Sequence, residues 1–218
     1  MALNINGTTG ISGVDGSVSA PALTGTDSNT GITFPAADTI KFSTGGVERM
    51  SITNSGITGI SPGITMTDQW RVTSNFNSGP GVATITSNWE QNDTFSQDVT
   101  VGSSMTESSG IFTFPSTGLY LIRAYMNAKS TNMQYAGLII KGTTDNFSSV
   151  DSNLANNYDS MGQGIDYFAC VMCEAFFDVT NTSTHKVKFN LNSQNNIAVE
   201  GSTDYQRTGV TFIRFGDT

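Results

Sequence analysis

Beyond about residue 63 the chain alternates between short apolar runs and polar turns, with aromatic residues at regular intervals. Alternation with a period of two predicts β-strands, and no window has a convincing helical spacing. The candidate strands are Gln69–Asn75, Val82–Trp89, Phe95–Val101, Gly110–Phe114, Leu119–Ala128, Gln134–Lys141, Gly164–Val179, His185–Leu191, Asn196–Glu200 and Thr208–Phe215. About ten short strands separated by turn residues predict an all-β domain, an antiparallel jelly-roll β-sandwich.

The strand-like run Ile165–Val179 carries apolar residues on both of its faces. Its odd positions are all apolar or aromatic, and its even positions include Phe168 and Met172. Antiparallel sheets usually keep one face in water, so a second apolar face predicts a covering partner. We expect another subunit in that place, and loops of the same chain are the alternative. The runs Leu119–Met126 and Val210–Phe215 show the same pattern, each interrupted by one arginine.

Residues 1–62 differ from the rest of the chain because they are rich in Gly, Ser and Thr and hold few large side chains. A segment this lean cannot close a hydrophobic core alone. It is either a disordered linker or a stem that becomes ordered when chains associate. We expect a thin, intertwined trimeric stem at residues 1–62, which anchors the chain, and a jelly-roll head at residues 63–218.

The stem contains one clear hairpin pattern. Ile40 and Phe42 alternate with polar residues, a Thr-Gly-Gly turn follows, and a second run begins at Val47. Glycine supplies the positive φ angles that tight hairpin turns require. The residues assigned to this hairpin are Ile40, Phe42, Gly45, Gly46, Met50 and Ile52. An Asn-Ser-Gly sequence at residues 54–56 predicts another turn after the second strand.

Composition and charge narrow the class of protein. Hydrophobic residues make up 37% of the chain and charged residues 13%, and Ser, Thr, Asn and Gly fill the difference. This mixture suits strands and polar turns rather than helices. The net charge is -8 and no cluster of Lys and Arg is present. Since nucleic-acid binding requires such clusters to neutralise phosphates, we expect no nucleic-acid partner.

The opening residues, MALNINGTTGISG, have neither a positively charged region nor an apolar core. They therefore do not have the pattern of a signal peptide. Nor does the sequence contain the stretch of about 18 apolar residues that a membrane-spanning helix needs. We expect a protein that is made in a cytoplasm and does not insert into a membrane.

No recognisable catalytic motif is present in the sequence. The single histidine, His185, stands at a strand start beside two lysines, and we expect it at a surface turn. A glycosidase would need two carboxylates across a groove, normally on a β-helix or barrel longer than this chain allows. The candidate acids, which we expect to be solvated surface groups, are Asp145, Asp151, Asp159 and Asp166. We therefore expect no catalytic residues and no enzymatic activity.

Cys170 and Cys173 have the Cys-x-x-Cys spacing of some redox and zinc sites. They lie in a strand-like run, where an odd separation places the two side chains on opposite faces. A closed zinc site would need two more ligands, and the βαβ context of a redox motif is missing. We expect two plain buried thiols and no metal site.

The polar segment SSVDSNLANNYDSMG, at residues 148–162, joins two strong candidate strands and is predicted to be a long loop. Its oxygen donors are of the type that calcium prefers, but their spacing is not that of an EF-hand, so we expect no cofactor, with calcium as the alternative. Loops on rigid scaffolds commonly carry recognition, and Tyr and Asn suit contacts with sugars. The candidate receptor-binding residues are Asp151, Asn153, Asn157, Tyr158 and Asp159.

Two segments of the head, FTFPSTGLYLIRAYMN and the C-terminal DYQRTGVTFIRFGDT, resemble the jelly rolls of the complement globular-head and tumour-necrosis-factor-like family. In that family a Phe precedes a Pro/Gly turn, and the Tyr of a Gly-x-Tyr strand, here Tyr120, packs near a trimer axis. The chain has Ile122 and Ala124 where that family usually has aromatic residues. The resemblance implies a homotrimer. The residues expected in the trimer interface or the core are Phe112, Tyr120, Ile122, Phe168, Met172, Phe212 and Phe215.

The stem segment GTDSNTGITFPAADTIKFSTGGVERMSITNSGITGI is similar to a neck segment of tail-fibre and other virion proteins of tailed phages, especially marine ones. The matching positions are Phe34, Pro35, Ala37, Asp38, Thr39, Ile40, Phe42, Ser43, Thr44, Gly45, Gly46, Glu48, Arg49, Met50 and Ile52. The opening MALNINGTTGISGVDGS also resembles the virion-anchoring start of such proteins. The resemblance implies a virion component that is made in the host cytoplasm and contacts tail, baseplate or capsid proteins through its stem.

Together these patterns favour a structural protein of a phage virion, a trimeric fibre whose head adheres to a host surface receptor such as a glycan. Three weak sites on one trimer, repeated over a particle, would give avidity. Two alternatives remain: a capsid decoration, cement or head-fibre protein without a receptor role, and a secreted-type trimeric lectin-like module.

Overall fold

The structure, a computed structural model, describes residues 4–6, 10–12, 15–59, 63–94, 100–132, 134–160 and 163–218. All regular elements in these residues are β-strands, which confirms the predicted all-β class. The chain divides into two compact units, Met1–Pro62 and Gly63–Thr218, and each is described by itself. We call the first unit the stem and the second the head.

The described stem consists of short antiparallel strands. They are β1 (Asn4–Asn6), β2 (Gly10–Ser12), β3 (Gly16–Ser17), β4 (Ala20–Pro21), β5 (Leu23–Thr24), β6 (Gly31–Thr33), β7 (Ile40–Thr44), β8 (Val47–Thr53) and β9 (Gly56–Thr58). Strands β1 and β2 pair with each other, as do β3 and β4, and β5 to β9 form one meander in chain order. Two-residue turns join β7 to β8 and β8 to β9, whereas residues 25–30 and 34–39 form the longer connections on either side of β6.

The predicted hairpin is strands β7 and β8. Gly45 and Gly46 connect them with φ angles of 59° and 74°, which are the two successive positive values of a type I′ turn. Gly56, at the start of β9, also has a positive φ of 118° and follows the second predicted turn. The hairpin prediction and the turn prediction are therefore both confirmed.

The stem meander presents its large apolar side chains on one face of a single sheet. Ile40 lies opposite Ile52, and Ile52 lies opposite Ile57 in the next strand. Ile57 is 58% exposed, and no Leu, Ile, Val, Met or Phe side chain within residues 15–59 is fully buried. The buried stem residues are the small ones, Pro21, Thr33, Ser43 and Ser51. This agrees with the inference that the stem composition is too lean to close a core.

The head contains thirteen strands in its described residues. They are β10 (Met66–Val72), β11 (Phe76–Ser78), β12 (Gly81–Thr84), β13 (Trp89–Gln91), β14 (Thr106–Ser108), β15 (Ile111–Thr113), β16 (Gly118–Asn132), β17 (Tyr135–Thr143), β18 (Ser152–Ser160), β19 (Gln163–Val179), β20 (Lys186–Ser193), β21 (Ile197–Val199) and β22 (Gly209–Gly216). All pairings are antiparallel.

Two sheets pack face to face to form the head. In the first sheet the order is β11-β21-β16-β22-β10-β13. Strands β21 and β22 pair with successive parts of one edge of the long strand β16, and β19 pairs along its other edge. In the second sheet the order is β14-β15-β20-β17-β18, and β12 also pairs with β20. Since strands distant in sequence are neighbours in each sheet, this is the antiparallel jelly-roll sandwich that the sequence predicted.

An aromatic cluster fills the space between the two sheets. Phe112 is fully buried at its centre, with the rings of Trp70, Trp89, Phe189 and Phe212 at centroid distances of 5.2 to 5.5 Å. Edge-to-face arrangements dominate these contacts, as aromatic quadrupoles prefer. The same sequence alternation that predicted the strands therefore places their aromatic positions in one core.

Some predicted strands differ from the observed ones. The predicted strand Val82–Trp89 is two strands, β12 and β13, in different sheets. Between them Ile85 is buried, and its carbonyl accepts a hydrogen bond from the Trp89 indole at 2.8 Å. The chain crosses from one sheet to the other beside this buried apolar residue, so the apolar pattern alone did not mark the crossing. Most of predicted strand Phe95–Val101 lies outside the described residues. Strands β11, β14 and β18 were not predicted.

Candidate functional site

Strand β19 carries apolar side chains on both faces, as predicted, and in the single chain one face lies in the core while the other is exposed. Ala169, Val171 and Val179 are at most 1% exposed and pack between the sheets. On the opposite face Phe168 is 60% exposed and Phe176 63%. In the described head this strand pairs with β16 alone, and along its other edge the Asn157 side chain of β18 donates to the Met172 carbonyl at 3.0 Å.

The exposed side chains of β19 continue across the first sheet. Phe176 lies opposite Leu121 on β16, and Leu121 lies opposite Ile213 on β22. The ring of Phe215, also on β22, is 5.9 Å from the ring of Phe176. We call this surface the apolar face, and it consists of Leu121, Tyr125, Phe168, Met172, Phe176, Ile213 and Phe215.

Tyr125 lies within the apolar face, opposite Met172. Burial of the Tyr125 hydroxyl raises its pKa well above the usual range, because an apolar environment disfavours the phenolate. Met172, by contrast, is 56% exposed. The apolar face therefore consists of a half-buried floor on β16 and protruding side chains on β19.

One ion pair interrupts the apolar face. The Arg123 guanidinium donates to the Glu174 carboxylate at 3.0 Å, and both side chains are about half exposed. The pair carries no net charge, and the other charged side chains on this side of the sheet lie at the two ends of the face, Lys129 beside Phe168 and Asp178 beyond Phe176. An exposed pair of this kind adds at most about 1 kcal/mol to stability in water, and its value lies in specifying a partner.

The residues expected in the trimer interface or the core divide into two groups. Phe112, Tyr120, Ile122 and Phe212 are completely buried between the sheets, so they are core residues of a single chain. Tyr120 also donates a hydrogen bond to the Ser116 carbonyl at 2.9 Å, and its burial removes it from direct contact with another subunit. Phe168, Met172 and Phe215 belong to the apolar face instead.

The candidate receptor-binding segment is not a loop, and the prediction of one was wrong. Its residues form strand β18, which pairs with β17 at the edge of the second sheet. Edge strands tolerate polar side chains because much of their surface meets water, so Asn and Asp did not mark a loop. Successive residues therefore point to opposite faces. The Asn157 amide donates to the Met172 carbonyl at 3.0 Å, while Tyr158 lies on the opposite, outer face.

Asp151 precedes β18 and is held between two lysines. Its carboxylate lies 3.1 Å from the Lys141 ammonium and 2.8 Å from that of Lys188. Partial burial acts to raise the pKa of Asp151, but the hydrogen bonds and charges of Lys188 and Lys141 outweigh it, so the pKa is lowered. Both ammonium groups therefore compensate the charge of the Asp151 carboxylate. Three or more His, Cys, Asp or Glu side chains do not meet anywhere in the part of the chain that the structure describes.

The Tyr158 ring lies across a glycine on the neighbouring strand. A Cβ atom on Gly137 would come within 2.3 Å of Tyr158 Cε1 and 2.5 Å of Cδ1, so only glycine leaves room for the ring. The Asn192 amide donates to the Tyr158 hydroxyl at 3.2 Å, and the Tyr135 ring stands at 71° to it with a centroid distance of 5.8 Å. We call Tyr135, Gly137, Tyr158 and Asn192 the tyrosine platform.

A shallow depression of about 600 Å³, with both polar and apolar lining, lies at one end of the first sheet. It is lined by Asn77, Ser78, Gly79, Lys129, Ser130, Thr131, Asn196, Ile197 and Ala198. The Lys129 ammonium lies 5.6 Å from the centre of the Phe168 ring, so this depression borders the apolar face.

Comparison with known proteins supplies the fold. Eiger TNF from S. frugiperda superimposes with a TM-score of 0.56 at 9% sequence identity, covering 72% of this chain and 96% of that chain. The head has a tumour-necrosis-factor-like jelly-roll fold. Murine APRIL at pH 8.0 gives a TM-score of 0.50 at 10% identity, covering 68% of this chain and 98% of that chain. No family model matches the sequence, and no curated protein matches it either.

In this jelly roll the environments of two residue types differ from expectation. His185 is 8% exposed rather than at a surface turn, and its ring nitrogens lie 3.3 Å from the Thr180 hydroxyl and 3.2 Å from the Thr184 hydroxyl. Cys173 is buried, but Cys170 is exposed, so the expectation of two buried thiols is wrong for Cys170. The strand alternation that separates the two cysteines also places Cys170 on the outer side of β19.

The candidate acids are distributed over separate parts of the head. Asp145 accepts hydrogen bonds from the Thr143 hydroxyl at 2.8 Å and from the Ser149 hydroxyl at 2.6 Å, and so organises the turn after β17. Asp159 is half-buried, and the side chain of Asp166 lies outside the described set. No helix that the structure describes is long and apolar enough to cross a membrane.

Sequence reasoning missed several residues of these surfaces. Phe176 could have been identified from the alternating pattern, because it is an even number of residues from Phe168 and so lies on the same face of the strand. Nothing in the sequence identified Gly137, Tyr135 or Asn192, because their association with Tyr158 depends on strand register.

Proposed function

We propose that the chain is a trimeric binding protein of a phage virion, a short fibre whose stem attaches to the particle and whose head adheres to the host surface. The observation that carries the proposal is the apolar face of the first sheet, with Phe168, Met172 and Phe176 each more than half exposed. Contiguous apolar patches of this kind mark protein contacts in soluble proteins.

The apolar face fits a second copy of the same chain because its centre carries no net charge, while Lys129 and Asp178 lie only at its two ends. Arg123 and Glu174 satisfy each other within it, so an apolar partner surface can cover the pair without leaving either charge alone. Phe176 and Phe215 protrude as a two-ring ridge, while Leu121 and Tyr125 form a lower floor. A ridge beside a floor is complementary to its own copy in a rotated arrangement, as closed symmetric oligomers require.

Two observations support three copies rather than two. The head shares its fold with tumour-necrosis-factor-like proteins, and its sequence resembles the trimeric members of that group. The stem also presents an uncovered apolar row, Ile40, Ile52 and Ile57. Three such sheets around an axis would bury this row and give the stem the core that one chain lacks.

The virion location rests on the stem sequence, which resembles neck segments of tail-fibre and other virion proteins of tailed phages. A multivalent particle also suits weak individual sites, because several sites that engage together raise the effective affinity by orders of magnitude. Labelling intact particles with an antibody against the head tests this location. Signal at the tail supports a tail fibre, signal over the capsid supports a head fibre, and absence of signal on purified particles contradicts a virion role.

The solution mass tests the assembly. We expect wild-type protein in light scattering coupled to size exclusion to have the mass of three chains. A variant with Met172→Asp and Phe176→Asp should have the mass of one chain, because two charges would be buried in each interface. Val82→Asp is the matched control, since Val82 is 56% exposed but lies on the second sheet, and it should remain trimeric. A monomeric wild-type protein, or a trimer unaffected by the double variant, would contradict the proposal.

A further inference from the structure

The outer face of the second sheet displays an aromatic ring whose position is fixed on three sides. Tyr158 is supported from below by the backbone of Gly137 and is held at its hydroxyl by Asn192. The ring of Tyr135 stands at 71° to that of Tyr158, with the two ring centroids 5.8 Å apart. Even so, Tyr158 is 45% exposed, and because Gly137 lies under one side of the ring, a ligand would approach from the opposite side. A ring fixed in this way loses little conformational entropy when a ligand stacks on it.

Neutral polar groups surround the ring. Asn192 follows Gly137 across the sheet, and Val82 follows Asn192, so one row of the sheet runs from ring to amide to an exposed apolar side chain. The nearest cation on the same face of β17 is Lys141, four residues along, and its charge is satisfied by Asp151. No charged group of the described residues therefore belongs to this row.

This combination of groups matches the chemistry of a sugar ring. A pyranose presents weakly positive C–H groups on one face, and the face of an aromatic ring is its negative side. The hydroxyl groups on the rim of a sugar need donors and acceptors, and an Asn amide supplies both at once. Tyr135, at 71° to Tyr158, forms a side wall that limits how a stacked ring can be oriented.

A second glycine of β17, Gly142, is also covered by a side chain of β18, and it shows what packing alone requires. On the core-facing side of the same sheet the Leu154 side chain covers Gly142, with a Cβ on Gly142 coming within 2.7 Å of Leu154 Cδ1, and Leu154 packs against the head core. Covering a strand glycine with a large side chain stabilises a sheet whatever that side chain is. Packing therefore explains why the glycine is covered, but leucine would satisfy it equally well. The exposed aromatic ring, the amide on its hydroxyl and the second ring beside it are additional to that need.

We propose that the tyrosine platform binds the face of a neutral pyranose sugar, with Tyr158 as the stacking surface, Tyr135 as the side wall and Asn192 as the group that bonds sugar hydroxyls. The inference names the ligand class of the adhesive role proposed above and rests on that role. It replaces the predicted recognition loop with a rigid sheet surface. All platform residues come from one chain, so each subunit has a complete site.

Binding to defined sugars tests the platform. The full chain is titrated with methyl β-D-glucopyranoside, methyl β-D-galactopyranoside, N-acetylglucosamine and the anionic sugar N-acetylneuraminic acid, observed by saturation-transfer NMR. We expect at least one neutral sugar to bind, and Tyr158→Leu to weaken that binding ten-fold or more. Leucine keeps Gly137 covered, so thermal unfolding should stay near the wild-type temperature. Leu154→Ala is the matched control and should bind as wild type does.

Three results would overturn the platform: no neutral sugar binds, only the anionic sugar binds, or Tyr158→Leu binds as tightly as wild type. The mass of each sample is measured in parallel. A monomer that still binds a neutral sugar through Tyr158 would remove the trimer proposal and leave the platform intact. A trimer that binds none of the neutral sugars would remove the platform and leave the trimer proposal intact.

Discussion

The two outer faces of the head are built by the same alternation but differ in what they present. The first sheet turns Phe168, Met172 and Phe176 outward, whereas the second sheet turns outward the tyrosine platform, Val82 and the ion pairs of Asp151. An apolar face gains free energy only by leaving water, at about 25 cal/mol per Å². A polar face with a fixed ring is already stable in water. On the proposals made above, the first face is the one that a permanent partner covers, and the second remains open for a reversible ligand.

The sharpest test of this difference uses the two thiols of β19. Cys170 lies on the outer side of the strand between Phe168 and Met172, and Cys173 lies in the core. In the trimer we expect neither thiol to react quickly with a maleimide at pH 8. In the variant with Met172→Asp and Phe176→Asp, Cys170 should react and Cys173 should not.

The slow reaction of Cys173 has a chemical cause. Burial raises the pKa of the Cys173 thiol to about 11, so its reactive thiolate fraction at pH 8 is about 10⁻³. Mass spectrometry of timed samples counts the labels and locates them by peptide. Rapid labelling of Cys170 in the wild-type trimer would place the subunit contact away from the apolar face.

The next largest effect compares the core face with the apolar face in a single chain. Phe112→Ala should destabilise the head by about 3–5 kcal/mol, because the fully buried ring leaves a cavity among four other aromatic rings. Phe168→Ala should change stability far less, since the ring is 60% exposed. Urea unfolding in the Met172→Asp, Phe176→Asp background measures both without coupling to assembly. Equal losses would mean that Phe168 packs against its own chain.

Gly137→Ala sharpens the description of the polar face. The added methyl group would meet Tyr158 ring atoms at 2.3 Å, so the ring must move, at a cost of about 1–3 kcal/mol. Gly79→Ala is the control, because its Cβ would meet only Asn196 Oδ1 at 3.9 Å. Thermal unfolding measures the loss, and the sugar titration measures the displaced ring. If Gly137→Ala were as stable as Gly79→Ala, the ring would not lie across the glycine.

The smallest effect is the acid sensitivity of the turn after β17. Hydrogen bonds from Ser149 and Thr143 hold the pKa of Asp145 well below its usual value of 3.8. A lowered folded pKa means that the stabilisation is complete above pH 3.8 and is lost as the pH falls through the folded value. Asp145→Asn should therefore flatten the decline of unfolding temperature below pH 3.8, and Ser149→Ala should flatten it less. An unchanged pH profile in Asp145→Asn would contradict this role.

Much of the fold could be predicted because alternation is a local property. Alternation along β19 assigns the neighbours Val171 and Met172 to opposite faces of the strand, and this needs no knowledge of the partner strands. The stem hairpin was equally accessible, since Gly45 and Gly46 are the residues that a turn with two positive φ angles demands.

The site could be predicted only in part. Tyr158 was identified as a candidate for recognition, but in a loop, because an Asn-rich and Asp-rich segment has turn composition. Its strand conformation comes from pairing with β17, whose Leu138 and Ile140 already belong to the core. The buried Arg71 was not predicted either, although it is 1% exposed and donates to Glu90 and Asp93 at 2.8 and 2.6 Å. Charged residues are expected at the surface unless partners distant in sequence satisfy them.

The sequence by itself determined the all-β class, the positions of most strands, and the presence of two apolar faces on β19. These follow from residue type and spacing within one segment, where side-chain direction is set by the backbone period alone. Only the tertiary structure decided that the polar segment is the edge strand β18 and that Gly137 and Asn192 meet Tyr158. The physical reason is register: which residues become neighbours across a sheet depends on how distant strands align, and a shift of one residue reverses every face.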